Sequence, residues 1–510
     1  MRSENSIKNI TVNLVSQLLS DVLSFVCRTV FIRMLGATYL GVSNLFIGIL
    51  SLLSLAELGI GTSIIFSMYK PLAENDRRKI GALMGLYRRA YHVIGLIVAA
   101  AGLALTPFIP FFTGSPAIPH LTLIYLLYVF NSTITYFFSY KQNIILADQK
   151  GYICTLYQYG LCIVQNILQI VILIQTKNFI LYLCAQILFS FLTNFLLSVK
   201  ADRMYPYLKR YRNARLSGRD RNSIFRNIRA MFMNRIGGAI VNGTDNILIS
   251  KFVGLVSVGI YANYFMITNT INNLTSQIFS GVTASVGNLG AVESNRKSYE
   301  VYLSINFAGF WIFGFCSICL FCLFNPFIRL WMLWTGKGAE LLFPMTVVFL
   351  IVLNFYVTGM RQATIMFKNT FGLFWYDRYR SLVEAAVNLG MSIVLARQIG
   401  AAGVFLGTFI STITVDFWVE PLVLFRHGFH RRASPYFIRY VFYTVFIFAV
   451  GSLTWYACSL AGGYSFGSFV LKCLICLILP NLLSLLVFCR TKEFQYLKGF
   501  VRLPGFSRKK

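Results

Sequence analysis

Residues 33–79 read RMLGATYLGVSNLFIGILSLLSLAELGIGTSIIFSMYKPLAENDRRK. An apolar run of roughly 30 residues fills this stretch, more than enough to cross a hydrocarbon core about 30 Å thick at 1.5 Å per residue. Arg33 stands at one end, Glu57 sits within the run, and Arg77, Arg78 and Lys79 close it. A lipid-soluble segment that carries charge must shelter it, so this stretch poses both the fold and the function.

The rest of the chain has the same character. Of its 510 residues 57% are hydrophobic and only 12% charged, with a mean hydropathy of +0.66, which describes an all-α integral membrane protein. About 14 transmembrane helices are expected, over residues 9–34, 40–69, 90–113, 119–146, 151–175, 178–199, 228–253, 256–290, 300–327, 341–366, 379–398, 402–425, 436–460 and 466–489. The first run is too long for a signal-peptide core and lacks a small-residue cleavage site, so it reads as a membrane helix.

Basic residues set the orientation, because short loops rich in Lys and Arg stay cytoplasmic. With the N-terminus inside, the inside loops collect Lys70, Arg77 to Lys79, Lys141, Lys150, the cluster from Lys200 to Arg229, Arg296, Lys297, Arg431, Arg432 and the tail from Arg490. The outside loops keep few, such as Lys177, Lys337 and Arg397. Both termini are therefore expected in the cytoplasm. The net charge of +29 reads as topology and contact with anionic membrane lipids. It does not call for nucleic acid, since the longest basic segment is itself a loop between spans.

The chain also repeats itself. Asn9 and Asn227 open segments that align without a gap 218 residues apart: Arg33 meets Lys251, Gly36 meets Gly254, Gly41 meets Gly259, and Arg78 with Lys79 meets Arg296 with Lys297. Six spans separate the copies, so both have the same orientation and a pseudo-two-fold axis runs along the membrane normal. The expected organisation is an N-terminal lobe (1–200), a basic cytoplasmic linker (201–226), a C-terminal lobe (227–425), and two extra helices with a basic tail (426–510). Two six-helix lobes related by a parallel repeat form a cleft near the midplane, as in many secondary transporters.

Charges inside the spans are the candidate site. Arg28, Arg33, Arg235 and Arg361 lie in or beside apolar runs, each costing roughly 2.5–3.5 kcal/mol at mid-bilayer. Asp21, Glu57, Asp245, Glu384, Asp416 and Glu420 are the acids available to compensate them. One reading pairs them across helices or lets them snorkel, which suits Arg33 and Glu420 near span ends. The other presents Arg28, Arg33 and Arg361, with Glu57, in a wet cationic cleft for an anionic headgroup, because guanidinium binds phosphate bidentately. Asp245, Glu384, Asn388 and Thr408 could hold Na⁺ or take up a proton for coupling, though a packing network would use the same residues. The 11 cysteines fall almost wholly in apolar runs, and the CxxC spacings at Cys316, Cys319 and Cys322 and at Cys473 and Cys476 lack the turn chemistry of a metal loop; no metal is expected.

RMLGATYLGV, ELGIGTSIIFSMYKPLAEND, SVGNLGAVES and VNLGMSIVLARQIGAAGVFLGTFIST together resemble the Wzx-type polysaccharide transporters of the MOP, or MATE-like, flippase superfamily, over about the first 430 residues. The resemblance implies a flippase of the bacterial cytoplasmic membrane that moves undecaprenyl-pyrophosphate-linked oligosaccharide for capsule, O-antigen or exopolysaccharide synthesis. It implies membrane lipids and other polysaccharide-assembly membrane proteins as partners. Arg28 and Arg33 match the basic positions of the family's first helix, and Asp245 matches an acid on its seventh. The two last helices would offer a lateral surface to the polyprenyl chain. A cation-coupled multidrug or solute antiporter of the same superfamily is the alternative. An enzyme acting on lipid-linked sugars is disfavoured, since the outside loops are short and the 4 His are scattered without paired carboxylates.

Overall fold

The computed structural model describes Arg2–Val501 apart from residues 58–59, 115–117, 149, 212–213, 215, 293–294 and 337–340. The side chains of Arg235 and Asn242 lie outside the described residues. Every regular element among those described is helical. Among the described residues ten helical runs are long and apolar enough to cross a membrane. The four other expected spans fall on helices that carry more polar residues or are shorter, so the structure is an all-helical membrane fold consistent with 14 spans.

The chain divides into two compact units, Met1–Gly259 and Ile260–Lys510. The first holds α1 (Arg2–Leu35), α2 (Ala37–Leu53), α3 (Ile60–Ala73), α4 (Arg77–Leu105), α5 (Leu121–Ser139), α6 (Gln142–Ala147), α7 (Gly151–Thr176), α8 (Phe179–Met204) and α9 (Gly218–Phe252). The helix α10 (Leu255–Val292) begins at its end. The second unit continues with α11 (Asn295–Thr335), α12 (Met345–Met360), α13 (Gln362–Thr370), α14 (Arg380–Ile399), α15 (Ala401–Ser411), α16 (Phe417–Val423), α17 (Ser434–Leu460), α18 (Phe466–Phe488) and α19 (Lys492–Val501). The division falls at residue 259, beyond the lobe boundary expected at 226, because α9 packs along α2 in the first unit.

The repeat is visible in the backbone. Gly36 joins α1 to α2 at φ 88°, and Gly254 precedes α10 at φ 117°, a conformation open to glycine and strained for other residues. The glycines one turn further on make a reciprocal contact. A Cβ on Gly41 would overlap the carbonyl of Leu255, and one on Gly259 would overlap that of Ala37. Leu255 is Ala37 advanced by 218 residues, so each copy places its glycine on the other's first helical carbonyl, as a two-fold relation requires. Only glycines allow backbones this close without a hydrophobic drive between helices.

Several expected spans are interrupted, and two of the interruptions bear on the candidate residues. The run 40–69 is α2, a 3₁₀ turn at Ser54–Glu57, and α3. The run 341–366 breaks at Arg361 between α12 and α13. Both breaks coincide with a charged side chain, which irregular backbone can accommodate where it lies against protein.

Candidate functional site: a buried ionic cluster on a broken helix

Arg361 sits in the break between α12 and α13 and is buried. Its Nε donates to Glu420 Oε2 at 2.8 Å and its Nη2 to Glu420 Oε1 at 3.0 Å, a bidentate pair, and Nη2 also lies 2.5 Å from Asp416 Oδ2. Lys368, two turns along α13, pairs with Asp377 and stands 3.9 Å from Glu420 Oε1. Arg380 opens α14, where the helix dipole disfavours a cation. Carboxylates hold it there instead: it pairs with Asp416, and approaches Glu420 at 3.2 Å, Asp377 at 3.4 Å and Glu384 at 3.7 Å.

The acids Asp416 and Glu420 come from an irregular helix. A π-helical segment, Thr412–Asp416, follows α15; α16 contains Pro421; a second π segment, Leu424–Phe429, ends the run. Proline removes a backbone donor and clashes with the preceding turn, and π segments cluster at functional sites. The cluster therefore joins three interrupted or terminal helix positions with three cations, Arg361, Lys368 and Arg380, and four acids, Asp377, Glu384, Asp416 and Glu420. Its formal charge is −1 with every group ionised. Glu384, with a side chain 14% exposed, is the acid whose ion pair to Arg380 is longest, at 3.7 Å, among the described residues.

One turn along α14 from Glu384, buried Asn388 donates from Nδ2 to Thr408 Oγ1 at 3.0 Å and to Ser411 Oγ at 3.4 Å, while its Oδ1 is buried without a hydrogen bond among the described residues. Glu384, Asn388 and Thr408 thus share the α14–α15 hairpin. Gly403 and Gly407 close it, since a Cβ on either would overlap α14.

The first unit holds the other expected residues. Arg28 lies half-buried on α1, one turn from Phe31 and near Tyr182, whose ring packs edge-on against Phe31 at 5.1 Å. Arg33, in the last turn of α1, is exposed. Asp245 on α9 keeps a buried Oδ1 with no hydrogen bond among the described residues, and Asp21 on α1 a buried Oδ2 in the same condition. Glu57 answers the question of charge in the apolar run. Tyr91 donates to it, Tyr87 donates to Tyr91 at 3.2 Å, and Asn143 donates to Tyr87 at 2.6 Å, so a tyrosine relay from α6 through α4 satisfies the carboxylate. Gly61 leaves the room: a Cβ there would stand 2.9 Å from the Tyr87 hydroxyl. The first unit also breaks beside a cation, Lys141 before α6, which pairs with Asp202 on α8 at 2.7 Å.

Arg361 departs from its expected role. It was expected to face a substrate anion, yet carboxylates occupy its fork, because a buried guanidinium beside two acids is held by the stronger local field. Lys368 and Asp377 fall between the expected spans 341–366 and 379–398 and Arg380 at the start of the second, and all three prove to be cluster members; the i,i+4 spacing of Arg380 with Glu384 is a sequence signal for them. A separate group of three buried thiols, Cys322, Cys458 and Cys476, brings α11, α17 and α18 together with sulfurs within 4.8 Å of one another. These thiols pack as small apolar groups.

Residues 6–284 match the family described as "Polysaccharide biosynthesis protein", which is more than half of the chain. The chain belongs to the polysaccharide biosynthesis protein family. No curated protein matches it in sequence. Its fold is similar to that of lipid II flippase MurJ in an inward closed conformation, at 14% identity and a TM-score of 0.66 over 96% of this chain and 100% of that one. An inward-facing multidrug resistance MATE family transporter of the MOP superfamily matches at 15% identity and a TM-score of 0.59, over 80% and 96%. A Vibrio cholerae MATE transporter matches at 13% identity and a TM-score of 0.56, over 84% and 99%. These similar structures are of a lipid II flippase and two MATE transporters, and the likeness is one of fold. This polysaccharide biosynthesis family member is a multi-pass membrane protein with the MOP transporter fold.

Proposed function

We propose that this protein is a flippase that carries an undecaprenyl-pyrophosphate-linked oligosaccharide from the inner to the outer leaflet of the bacterial cytoplasmic membrane by alternating access. The observation that carries this reading is the family match over residues 6–284, on a fold shared with a lipid II flippase. A pyrophosphate with attached sugars cannot cross hydrocarbon unaided, so a protein must shelter the head while the polyprenyl tail stays in lipid. Arg28, with Arg33 at the end of the same helix, supplies guanidinium for the pyrophosphate. An apolar groove of about 280 Å³ in the second unit, between α11, α12 and α17 and lined by Phe321, Phe349, Phe448 and Trp455, suits a stretch of polyprenyl chain.

The ionic cluster supports ion coupling. One uncompensated negative charge, in a region where charge is costly, favours holding a proton or Na⁺, and Glu384 beside Asn388 and Thr408 is where it binds. Asp245, with a buried oxygen that has no hydrogen bond among the described residues, is a second candidate. A strain deleted for the gene tests the transport reading. Lipid-linked oligosaccharide should accumulate on the cytoplasmic face and clear on re-expression of the wild type. Absence of accumulation would move the multidrug antiporter to first place.

A further inference from the structure

A cavity of about 460 Å³ opens in the first unit, away from the residues discussed so far except Lys141 and Asp202. It runs from Gly81 to His92, about 17 Å along α4 at 1.5 Å per residue, and reaches the α5–α6 break and the end of α8. Cavities of this size hold small ligands or headgroups. Arg88, Lys141 and Lys209 line it against one acid, Asp202, a formal charge of +2 before His92 is counted.

Lys141 has a local explanation, since it follows the C-terminus of α5 and pairs with Asp202 at 2.7 Å. Arg88 does not: among the described residues it forms no ion pair, and it stands half-buried within α4, far from a helix C-terminus that would favour a cation; Lys209, exposed in the last turn of the short helix Tyr207–Arg210, likewise forms no ion pair among the described residues. A guanidinium and two ammonium groups around one hollow match the charge of a phosphate, with Arg88 able to grip two oxygens. The cavity adjoins the basic segment after α8, at the end where orientation by basic residues places the cytoplasm, and basic pockets between membrane helices at that level take anionic lipid headgroups.

We propose that this cavity binds a phosphate-bearing anion, as the headgroup of an anionic phospholipid or as a free phosphate ester, at a site separate from whatever the protein transports. The inference does not depend on the transport reading.

The test uses the full-length protein in detergent, titrated with short-chain phosphatidylglycerol, short-chain phosphatidylcholine or inorganic phosphate, with binding read from thermal protection. Wild type should saturate with phosphatidylglycerol and not with phosphatidylcholine. Arg88→Gln with Lys209→Gln should raise the midpoint about fivefold per cation, on the order of 25-fold together. Asp202→Asn should lower the midpoint, an outcome that simple destabilisation does not give. Protection by inorganic phosphate, lost in the same double variant, assigns a free phosphate ester; protection by phosphatidylglycerol alone assigns a lipid. Equal protection by phosphatidylcholine would overturn the proposal. So would an equal loss in Arg431→Gln with Arg432→Gln, which removes the same charge from the second unit, or weaker binding by Asp202→Asn.

Discussion

Arg361→Met and Glu420→Gln break the same bidentate pair, yet the charge of the cluster makes them unequal. With three cations and four acids the formal charge is −1. Losing Arg361 takes it to −2 and leaves Asp416 and Glu420 buried with only Arg380 and Lys368 near them. Losing the Glu420 charge takes it to zero, and the amide still accepts one guanidinium hydrogen bond. Breaking a buried pair by removing one partner costs about 3–5 kcal/mol, and Arg361→Met should lie in that range. Glu420→Gln should cost about 1–3 kcal/mol, the scale of a weakened charged hydrogen bond. The double variant returns the charge to −1 and should recover roughly 1–3 kcal/mol relative to the sum of the singles. Heating purified protein and measuring the fraction that stays monodisperse ranks the four proteins, which suits a chain whose unfolding is governed by rate. Glu420→Gln falling below Arg361→Met, or a double variant as unstable as the sum, would refute the charge argument.

Further outcomes follow from the same geometry. Gly41→Ala and Gly259→Ala each drive a methyl into a backbone carbonyl and should each lose at least about 1–3 kcal/mol, in nearly equal measure because the contact is reciprocal; Gly254→Ala, with open space around it, should lose on the order of 1 kcal/mol from its φ alone, as thermal melts of the three would show. Tyr91→Phe removes the Tyr91 hydrogen bond to Glu57 and should cost about 1–3 kcal/mol, more than Glu57→Gln, which keeps an acceptor for Tyr91; equal melting of the two variants would refute the relay. Glu384→Gln makes the cluster neutral, so flux in reconstituted vesicles should lose its response to an imposed H⁺ or Na⁺ gradient while protein level is kept; an unchanged response would take coupling away from this residue.

The sequence carried the parts of this structure that recur along the chain. Helix starts at Ala37 and Leu255, glycines at 36 and 254, and the pair 41 and 259 were legible because a repeat places like residues at a fixed offset. The breaks were hidden, because a run such as 341–366 stays apolar through Arg361 and hydropathy has no term for a kink. Pairing was hidden for a different reason. Asp416 and Glu420 lie more than fifty residues beyond Arg361, and the donor to Glu57 is a tyrosine that reads as one more aromatic. A buried charge in an apolar run announces that a partner exists, while the fold alone decides whether that partner is an acid, a hydroxyl or a substrate.

The central claim is most directly met by purified protein in liposomes holding a fluorescent undecaprenyl-pyrophosphate oligosaccharide, with outer-leaflet label quenched by a membrane-impermeant reductant. Wild type should expose inner-leaflet label to the quencher beyond the level of protein-free vesicles, and Arg28→Ala at equal incorporation should do so at least tenfold more slowly. Wild-type vesicles that quench no faster than protein-free ones, under either ion gradient, would contradict it.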